Sequence, residues 1–268
     1  MLSVMNQENN KNIIYEHPMN ERVRNLLRIE HLYNIIGNCS KEDSEYNCRE
    51  ILRALLQISG LLVRSDMKNE IIKELKRQLE VFNKLKNNDK YGDHVDIDRL
   101  NTLNSIINVQ LNSLQEPTYQ PGEIIKNNEL VRVFSQRINI PGGTCNFDLP
   151  RLHYWLEQSE SKRKQDLINW SSDLTLITES TNILLDNIRK SSVLTYENAS
   201  SGFFHKQIGS GDSCQLIKVI VNSSNTYYPD ISGVKHRFTV RFMEELDSNS
   251  KPMQTQNDIR FELHCCIL

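Results

Sequence analysis

The sequence lacks long hydrophobic runs. No stretch approaches the roughly 18 consecutive apolar residues that a membrane-spanning helix requires. The first residues, MLSVMNQENNKNIIYEHP, also lack the basic start and the apolar centre of a secretory signal peptide. We therefore expect a cytoplasmic protein without membrane insertion.

The cysteines are scattered, and their spacing lacks any recognisable motif. No two of the six cysteines are separated as C-x-x-C, which argues against a disulfide framework and favours reduced thiols. His264, Cys265 and Cys266 adjoin one another, but neighbouring residues of a strand face opposite sides, so we expect no metal site there. Gly142 and Gly143 lack the Lys-Ser/Thr pair of a phosphate-binding loop, and we expect no nucleotide or other cofactor.

An excess of charge of either sign is also missing. The chain has 32 Lys and Arg against 34 Asp and Glu, and the residues after 190 have seven against eight. Neither part is basic, so the composition argues against a nucleic-acid-binding protein. Electrostatic recognition of any partner must be local.

Helical periodicity dominates the first two thirds of the chain. Apolar residues recur at helical spacing in four segments, and Gly37 is suited to end the first. Residues 123–138, 152–170 and 174–188 predict further helices, with Asp148 and Pro150 suited to begin the middle one. The clearest predicted helices cover residues 19–37, 46–62, 68–86 and 97–114. Since amphipathic helices bury their stripes against one another, we expect a bundle.

The pattern changes after Lys190 to short β-branched and aromatic runs. GFFHKQI, CQLIKVIVNS, HRFTVRFMEEL and IRFELHCCIL are separated by Gly, Ser, Asn and Asp, which is typical of an antiparallel sheet. We therefore predict an α+β fold with a helical-bundle domain over 17–190 and a β-strand domain over 191–268. Residues 12–16 are a candidate additional strand.

The segment IPGGTCNFDLPRLHYWL, residues 140–156, allows two interpretations. Cys145, His153 and Asp148 are the residue types of a thiol nucleophile, a base and an orienting carboxylate, so a cysteine-dependent enzyme is one alternative. The other is structural. In that interpretation the glycines turn the chain, Cys145 and Phe147 pack, Asp148 caps a helix, and Leu152, Trp155 and Leu156 face the core.

Strand KHRFTVRFM alternates sharply. Phe238, Val240 and Phe242 should face one side, while Arg237 and Arg241 face the other, rooted roughly 13 Å apart. Guanidinium groups fit carboxylates and carbonyls, so this face is a candidate peptide-docking surface. The alternative is a solvated face on which Glu244 or Glu262 pairs with the arginines. Arg24, Arg28 and His31 form a second basic stripe on the first helix.

Four segments resemble the ZapD family of Z-ring-associated cell division proteins. They are YEHPMNERVRNLLRIEHL, QRINIPGGTCNFDLPRLHYWL, YPDISGVKHRFTVRFM and FELHCC, in order along nearly the whole chain. The region from about Asn38 to Gln115 diverges most. The resemblance implies a helical domain joined to a β-strand domain, a homodimer, no enzymatic activity, and bundling of FtsZ filaments through the FtsZ C-terminal tail at the mid-cell division ring.

Basic residues are implicated in FtsZ binding in that family, and five have matching positions here. The resemblance therefore implies a tail-binding set of Arg28, Arg137, His153, Arg237 and Arg241. We expect the four arginines of this set to receive the acidic groups of the tail in a groove between the domains, with His153 lining the recognition surface. Nearby aromatic residues such as Tyr154, Phe204 and Tyr228 would hold the apolar side chains of the tail.

Overall fold

The structure, a computed structural model, describes residues 11–87, 96–209, 214–234, 236–244 and 249–268. The fold is α+β, as predicted, with helices preceding a C-terminal antiparallel β region. The chain forms two compact units, one of residues up to Arg24 and from Asp186 onward, the other spanning Asn25–Leu185. The division into domains at residue 190 stays a prediction.

The helical unit contains most of the amphipathic segments found in the sequence. The predicted helices over 46–62, 68–86 and 97–114 are confirmed, each extended by one to three residues. The helices are α1 (Glu21–Cys39), α2 (Glu45–Arg64), α3 (Met67–Lys86), α4 (Ile97–Gln115), α5 (Glu123–Asn127), α6 (Glu129–Arg137), α7 (Pro150–Leu156), α8 (Glu160–Ser171) and α9 (Thr175–Lys190). A short 3₁₀ turn, Ser172–Leu174, precedes α9.

Helix α2 shows why these segments fold as they do. Ser44 caps its start by accepting a hydrogen bond from the Asn47 amide at 3.0 Å. Residues at helical spacing then form a fully buried stripe that includes Leu52, Leu55 and Ile58. The helix is therefore fixed by a side-chain cap at one end and by burial along one face.

Two predicted helix boundaries are wrong. Gly37 does not end α1, which continues to Cys39, where the Ser40 hydroxyl and amide both donate to the Ile36 carbonyl. The predicted helix over 123–138 is two helices, because Asn128 adopts an extended conformation and its side chain caps α6 by accepting from the Val131 amide at 3.1 Å.

The predicted helix over 152–170 also divides. Helix α7 begins with Pro150 at its first position, as expected, but Leu149 occupies the cap position without a side-chain hydrogen bond, so the prediction that Asp148 caps this helix is wrong. The chain leaves the helical conformation after Leu156, and Ser159 caps α8 by accepting from Lys162 N.

The other unit is built on two antiparallel sheets. Its strands are β1 (Asn12–Pro18), β2 (Ser192–Ala199), β3 (Phe203–Gln207), β4 (Leu216–Asn222), β5 (Tyr227–Val234), β6 (Arg237–Glu244), β7 (Met253–Gln254) and β8 (Ile259–Cys266). Sheet A has the order β1-β4-β8-β2, and sheet B has the order β3-β6-β5, with β7 paired to the end of β6. Residues 12–16 thus contribute to an edge strand of sheet A.

One hydrophobic core joins the two sheets. Phe238, Val240 and Phe242 all point into it from β6, as the alternation predicts, and they meet the inward-facing residues of β4 and β8. Phe242 packs edge-on against Phe261, with ring centroids 5.0 Å apart. Because the inner face of β6 is wholly buried, residues 237, 239 and 241 must occupy the outer face.

Candidate functional site

The outer face of sheet B carries the two arginines that the sequence pattern singled out. Strand pairing arranges this face in three rows, each with one residue from β3, β6 and β5. We call it the cationic face. Its rows are Phe203, Arg241 and Asp230; His205, Thr239 and Ser232; and Gln207, Arg237 and Val234.

Arg241 is held over an aromatic ring at one end of the cationic face. Its guanidinium carbon lies 6.0 Å from the ring centroid of Phe203, its lateral neighbour on β3, within the range of a cation–π contact. The Phe203 ring stacks in turn on that of His205, with centroids 6.4 Å apart and planes 16° apart. An aromatic surface therefore lies beside an exposed cation.

The middle row of the cationic face lies between the two arginines. The hydroxyls of Ser232 and Thr239 lie 2.8 Å apart across β5 and β6, which joins the two strands between Arg241 and Arg237. Since Arg237 and Arg241 are four residues apart on one regular strand, their backbones are separated by roughly 13 Å. Such a spacing suits two separate acidic or carbonyl groups of an extended ligand.

Neither arginine has an ionic partner within the described part of the chain, where no carboxylate lies within 4.0 Å of Arg237 or Arg241. The expectation that Glu244 or Glu262 neutralises them is wrong. Glu262 lies on β8 of sheet A and pairs with His264 at 2.5 Å, while Glu244 follows the inward parity of β6. Asp230 is the lateral neighbour of Arg241 but makes no ion pair with it.

The expectation that Phe204 and Tyr228 lie on the same surface as the arginines is only partly correct. Phe204 faces the core, where its ring meets those of Phe238 and Phe261 at 6.2 and 5.3 Å, so its assignment to a recognition surface is wrong. Its neighbour Phe203 takes the outer position and is 37% exposed. Tyr228 follows the outward parity of β5, opposite Met243.

Sequence reasoning missed Phe203, His205 and Asp230. Two adjacent phenylalanines give no indication of which one faces inward, since only the pairing of Phe203 with Arg241 decides it. Strand β5 was not recognised because Pro229 and Gly233 argue against a strand. Proline is tolerated here because β5 lies at the edge of sheet B.

The other three predicted residues lie in the helical unit. Arg28 is exposed on α1 and donates to the Asn25 side chain at 3.1 Å. Arg137 is exposed at the end of α6. His153 lies on α7, with Nδ1 3.8 Å from a Glu157 carboxylate oxygen. No hydrogen bond between described residues joins any two of Arg28, Arg137 and His153.

A glycine turn supports the Arg137 end of α6. The Arg137 carbonyl accepts from the Ile140 amide at 3.0 Å, and a side chain on Gly143 would approach that carbonyl to 2.7 Å. Arg49 of α2 donates to the Thr144 carbonyl at 2.7 Å and fixes the turn to the helical unit. Glycine is therefore required at 143 by close packing of the backbone.

Residues 140–156 show only part of the arrangement that a cysteine-dependent enzyme would need. The Cys145 thiol lies 3.5 Å from an Asp148 carboxylate oxygen, but no hydrogen bond among the described residues links His153 to either of them. In the structural interpretation, Leu152, Trp155 and Leu156 are buried as expected. Phe147 is 84% exposed, so the expectation that it packs is wrong.

Within the described residues, no helix has the length and apolar character to cross a membrane. The same residues contain no group of three or more His, Cys, Asp or Glu side chains placed to hold a metal ion.

Comparison with known proteins assigns the class. Residues 27–241 match the family described as ZapD, cell division protein, and this range includes Arg28, Arg137, His153, Arg237 and Arg241. The chain is 36% identical over 256 residues to the cell division protein ZapD of Methylococcus capsulatus, covering 96% of this chain and 98% of that protein. It is 33% identical over 259 residues to that of Nitrosomonas eutropha and 31% identical over 254 residues to that of Chromobacterium violaceum.

These relatives are named as cell division proteins and not as enzymes. The match extends over nearly the full length of both chains, so it includes the helical unit as well as the two sheets. The chain belongs to the ZapD family of cell division proteins.

Proposed function

We propose that this protein binds the C-terminal tail of FtsZ on the cationic face and, as a homodimer, cross-links FtsZ filaments at the mid-cell division ring in the cytoplasm. The observation that carries the proposal is the pair of exposed arginines on β6, which have no ionic partner among the described residues. Membership of the ZapD family supports a role in division.

The cationic face suits an acidic peptide with apolar side chains. Arg237 and Arg241 each offer a planar guanidinium that can bind a carboxylate with two parallel hydrogen bonds. Phe203 offers an exposed ring directly beside Arg241, and Val234 is 59% exposed beside Arg237. Each cation thus has an apolar neighbour, so the surface can bind both kinds of side chain.

Arg28, Arg137 and His153 complete the proposed set from the helical unit. All three are accessible at least in part, and each lies in a segment that resembles the family. We expect substitution of these residues to weaken FtsZ binding. Unlike substitutions in the core, these changes should leave the protein folded. We propose that Tyr154, which is 70% exposed on α7 next to His153 in sequence, assists them.

Bundling follows from two tail sites in one homodimer. Each tail contact is weak alone, but once one filament is bound, a second tail meets the second site at a raised effective concentration. This mechanism needs no enzymatic step and no cofactor. It requires only that both sites of the dimer can be occupied together.

Sedimentation tests this function directly. The protein should pellet with polymerised FtsZ and increase filament bundling, while FtsZ lacking only its C-terminal tail should polymerise without recruiting it. Equal recruitment by tail-less filaments, or a strictly monomeric protein by light scattering, would contradict the proposal. A Cys145→Ser variant that still bundles filaments would separate this function from a cysteine-dependent enzyme.

A further inference from the structure

A cleft of about 620 Å³ lies within the helical unit. Its walls come from the loop after α4, helix α5, the residue before α6, the end of α8 and the 3₁₀ turn. Small-molecule sites typically measure about 300–1,000 Å³, so the cleft has the size of a binding site. We call it the Trp170 cleft. None of the five residues proposed to bind FtsZ lines it, so the two sites are separate.

Hydrogen bonds hold the walls of the Trp170 cleft in place. The Tyr119 hydroxyl donates to the Asp173 carbonyl at 2.8 Å, and the Ile124 amide donates to an Asp173 carboxylate oxygen at 2.9 Å. The Lys68 ammonium donates to the Tyr119 carbonyl at 2.6 Å, which fastens the loop to α3. The lining side chains are therefore positioned before a ligand binds, and this lowers the cost of binding.

Two aromatic side chains give the cleft an apolar surface. Trp170 is partly buried, and its ring lies against that of Trp155, with centroids 5.1 Å apart. Tyr119 is also partly buried, and the Lys68 ammonium lies 5.4 Å from its ring centroid, which is a cation–π distance. Ile124 adds an exposed aliphatic surface. The cleft can therefore bind an apolar body, and one of its rings already accepts an ammonium group.

The charged side chains of the lining are acidic. Glu123 and Asp173 both line the cleft, whereas no lysine, arginine or histidine of the described residues does. One carboxylate oxygen of Asp173 accepts from Ile124, but the other, Oδ1, is buried and has no hydrogen-bond partner among the described residues. A buried acceptor without a donor is costly. A ligand that brings both a donor and a positive charge would remove that cost.

An organic cation suits this lining better than an anion or a metal ion does. The two carboxylates would repel an anion. A metal ion would need several oxygen ligands, but the described residues contain no group of three acidic or other metal-binding side chains, and the aromatic rings offer it none. An ammonium group on an apolar body would use the carboxylates and the rings together.

We propose that the Trp170 cleft binds a small organic amine, whose ammonium group pairs with Asp173 and Glu123 while its apolar body lies against Trp170 and Tyr119. The ligand class is a primary amine on an aromatic or aliphatic body. This site does not depend on the FtsZ-binding proposal, since it shares no residue with the cationic face.

Intrinsic fluorescence tests the site directly, because the two tryptophans of the chain are Trp155 and Trp170, which contact each other at the cleft. The full-length protein is titrated with phenethylamine near neutral pH, with excitation selective for tryptophan. We expect a saturable change in emission with a Kd at or below about 1 mM. Phenethyl alcohol carries a hydroxyl in place of the ammonium on the same body, and it should bind at least about tenfold more weakly.

Substitutions that remove charge locate the ammonium group. Asp173→Asn and Glu123→Gln should each weaken phenethylamine binding at least about fivefold, since each removes a charged acceptor. Glu116→Gln is the matched control, because Glu116 is exposed in the same loop but does not line the cleft. This control should bind phenethylamine like the wild type.

Four results would overturn the proposal. They are a wild-type Kd above about 1 mM, equal binding of phenethyl alcohol, wild-type affinity in a folded Asp173→Asn or Glu123→Gln variant, and an equal loss in Glu116→Gln. Asp173 also holds the Ile124 amide, so its substitution can disturb the fold. Glu123 is exposed, so the titrations of the wild type and of Glu123→Gln decide even where Asp173→Asn does not fold.

Discussion

Arg241 lies with its guanidinium carbon 6.0 Å from the ring centroid of Phe203, its lateral neighbour on the outer face of sheet B. A matching pair exists on sheet A, where the guanidinium of Arg260 lies 5.7 Å from the ring of Tyr196. Both arginines are exposed. The two pairs share their chemistry but lie on different sheets, so Arg260 is an internal control for any effect that depends on charge alone.

Phe203 and Phe204 are adjacent but should respond differently to truncation. Phe204→Ala removes a ring that contacts Phe238 and Phe261, and we expect it to lower the free energy of unfolding by about 2–4 kcal/mol. Phe203→Ala should cost less than about 1 kcal/mol but weaken tail binding, since it removes the apolar surface beside Arg241. Urea unfolding and peptide titration measure the two effects. An equal loss of stability in both variants would contradict the assigned strand register.

The alternation of residues 237–242 was sufficient to predict which side of β6 faces the core, because a strand with one buried face has period two. The register of β3 was not predictable from two adjacent phenylalanines. Strand β5 was also missed, because its Pro229 is acceptable only at a sheet edge, and the order of strands is not readable from local sequence.

Helix interiors were more predictable than helix ends. Periodicity identified α2, α3 and α4 within three residues, but Asn128 and Gly37 were misjudged for opposite reasons. At Asn128 the apolar pattern of the sequence continues, but the helix does not, because the polar side chain of Asn128 caps a new helix. At Gly37 the helix simply continues, since glycine weakens a helix without ending it unless the backbone turns left-handed.

Gly37 and Gly143 should therefore respond oppositely to alanine. A Cβ at Gly37 meets no atom within 4 Å and lies inside α1, so Gly37→Ala should stabilise the protein by about 0.5–1 kcal/mol. A Cβ at Gly143 would lie 2.7 Å from the Arg137 carbonyl, so Gly143→Ala should destabilise the turn by more than about 1 kcal/mol. Thermal unfolding compares them, and stabilisation by both substitutions would be inconsistent with the turn geometry.

His17 should make the protein less stable in mild acid. Burial, assisted by the charge of Arg24, lowers its pKa below the ordinary 6.5, while a hydrogen bond to the Gly233 backbone and the charge of Asp230 oppose this shift. The unfolded chain therefore binds a proton at a higher pH than the folded chain does. Stability is highest above pH 6.5 and falls as the pH drops through that value toward the lowered pKa.

A His17→Gln variant tests this prediction, because glutamine does not titrate. Urea unfolding is measured between about pH 7.5 and 5, a range that brackets the ordinary histidine pKa of about 6.5. Over this range the wild-type protein should lose more stability than the variant. His236→Gln is the control, since His236 is exposed on the described chain. Identical pH profiles for the wild type and His17→Gln would refute the assignment.

Salt should weaken tail binding if the arginines of the cationic face act through their charge. At about 0.15 M salt the screening length is near 8 Å, and it shortens as salt is added. The tail affinity and the extent of filament bundling should therefore fall together between low and high salt. An affinity that does not change over this range would indicate that apolar contacts, such as those of Phe203, dominate.

Calorimetric titration of a synthetic FtsZ tail peptide into the wild-type protein, Arg237→Glu, Arg241→Glu and Arg260→Glu tests the central claim most directly. We expect each substitution on the cationic face to weaken binding by at least about tenfold, since it replaces an attractive charge with a repulsive one. Arg260→Glu, with the same change of charge on sheet A, should bind like the wild type. Equal affinity in all four proteins, or an equal loss in all three variants, would contradict the placement of the site on sheet B.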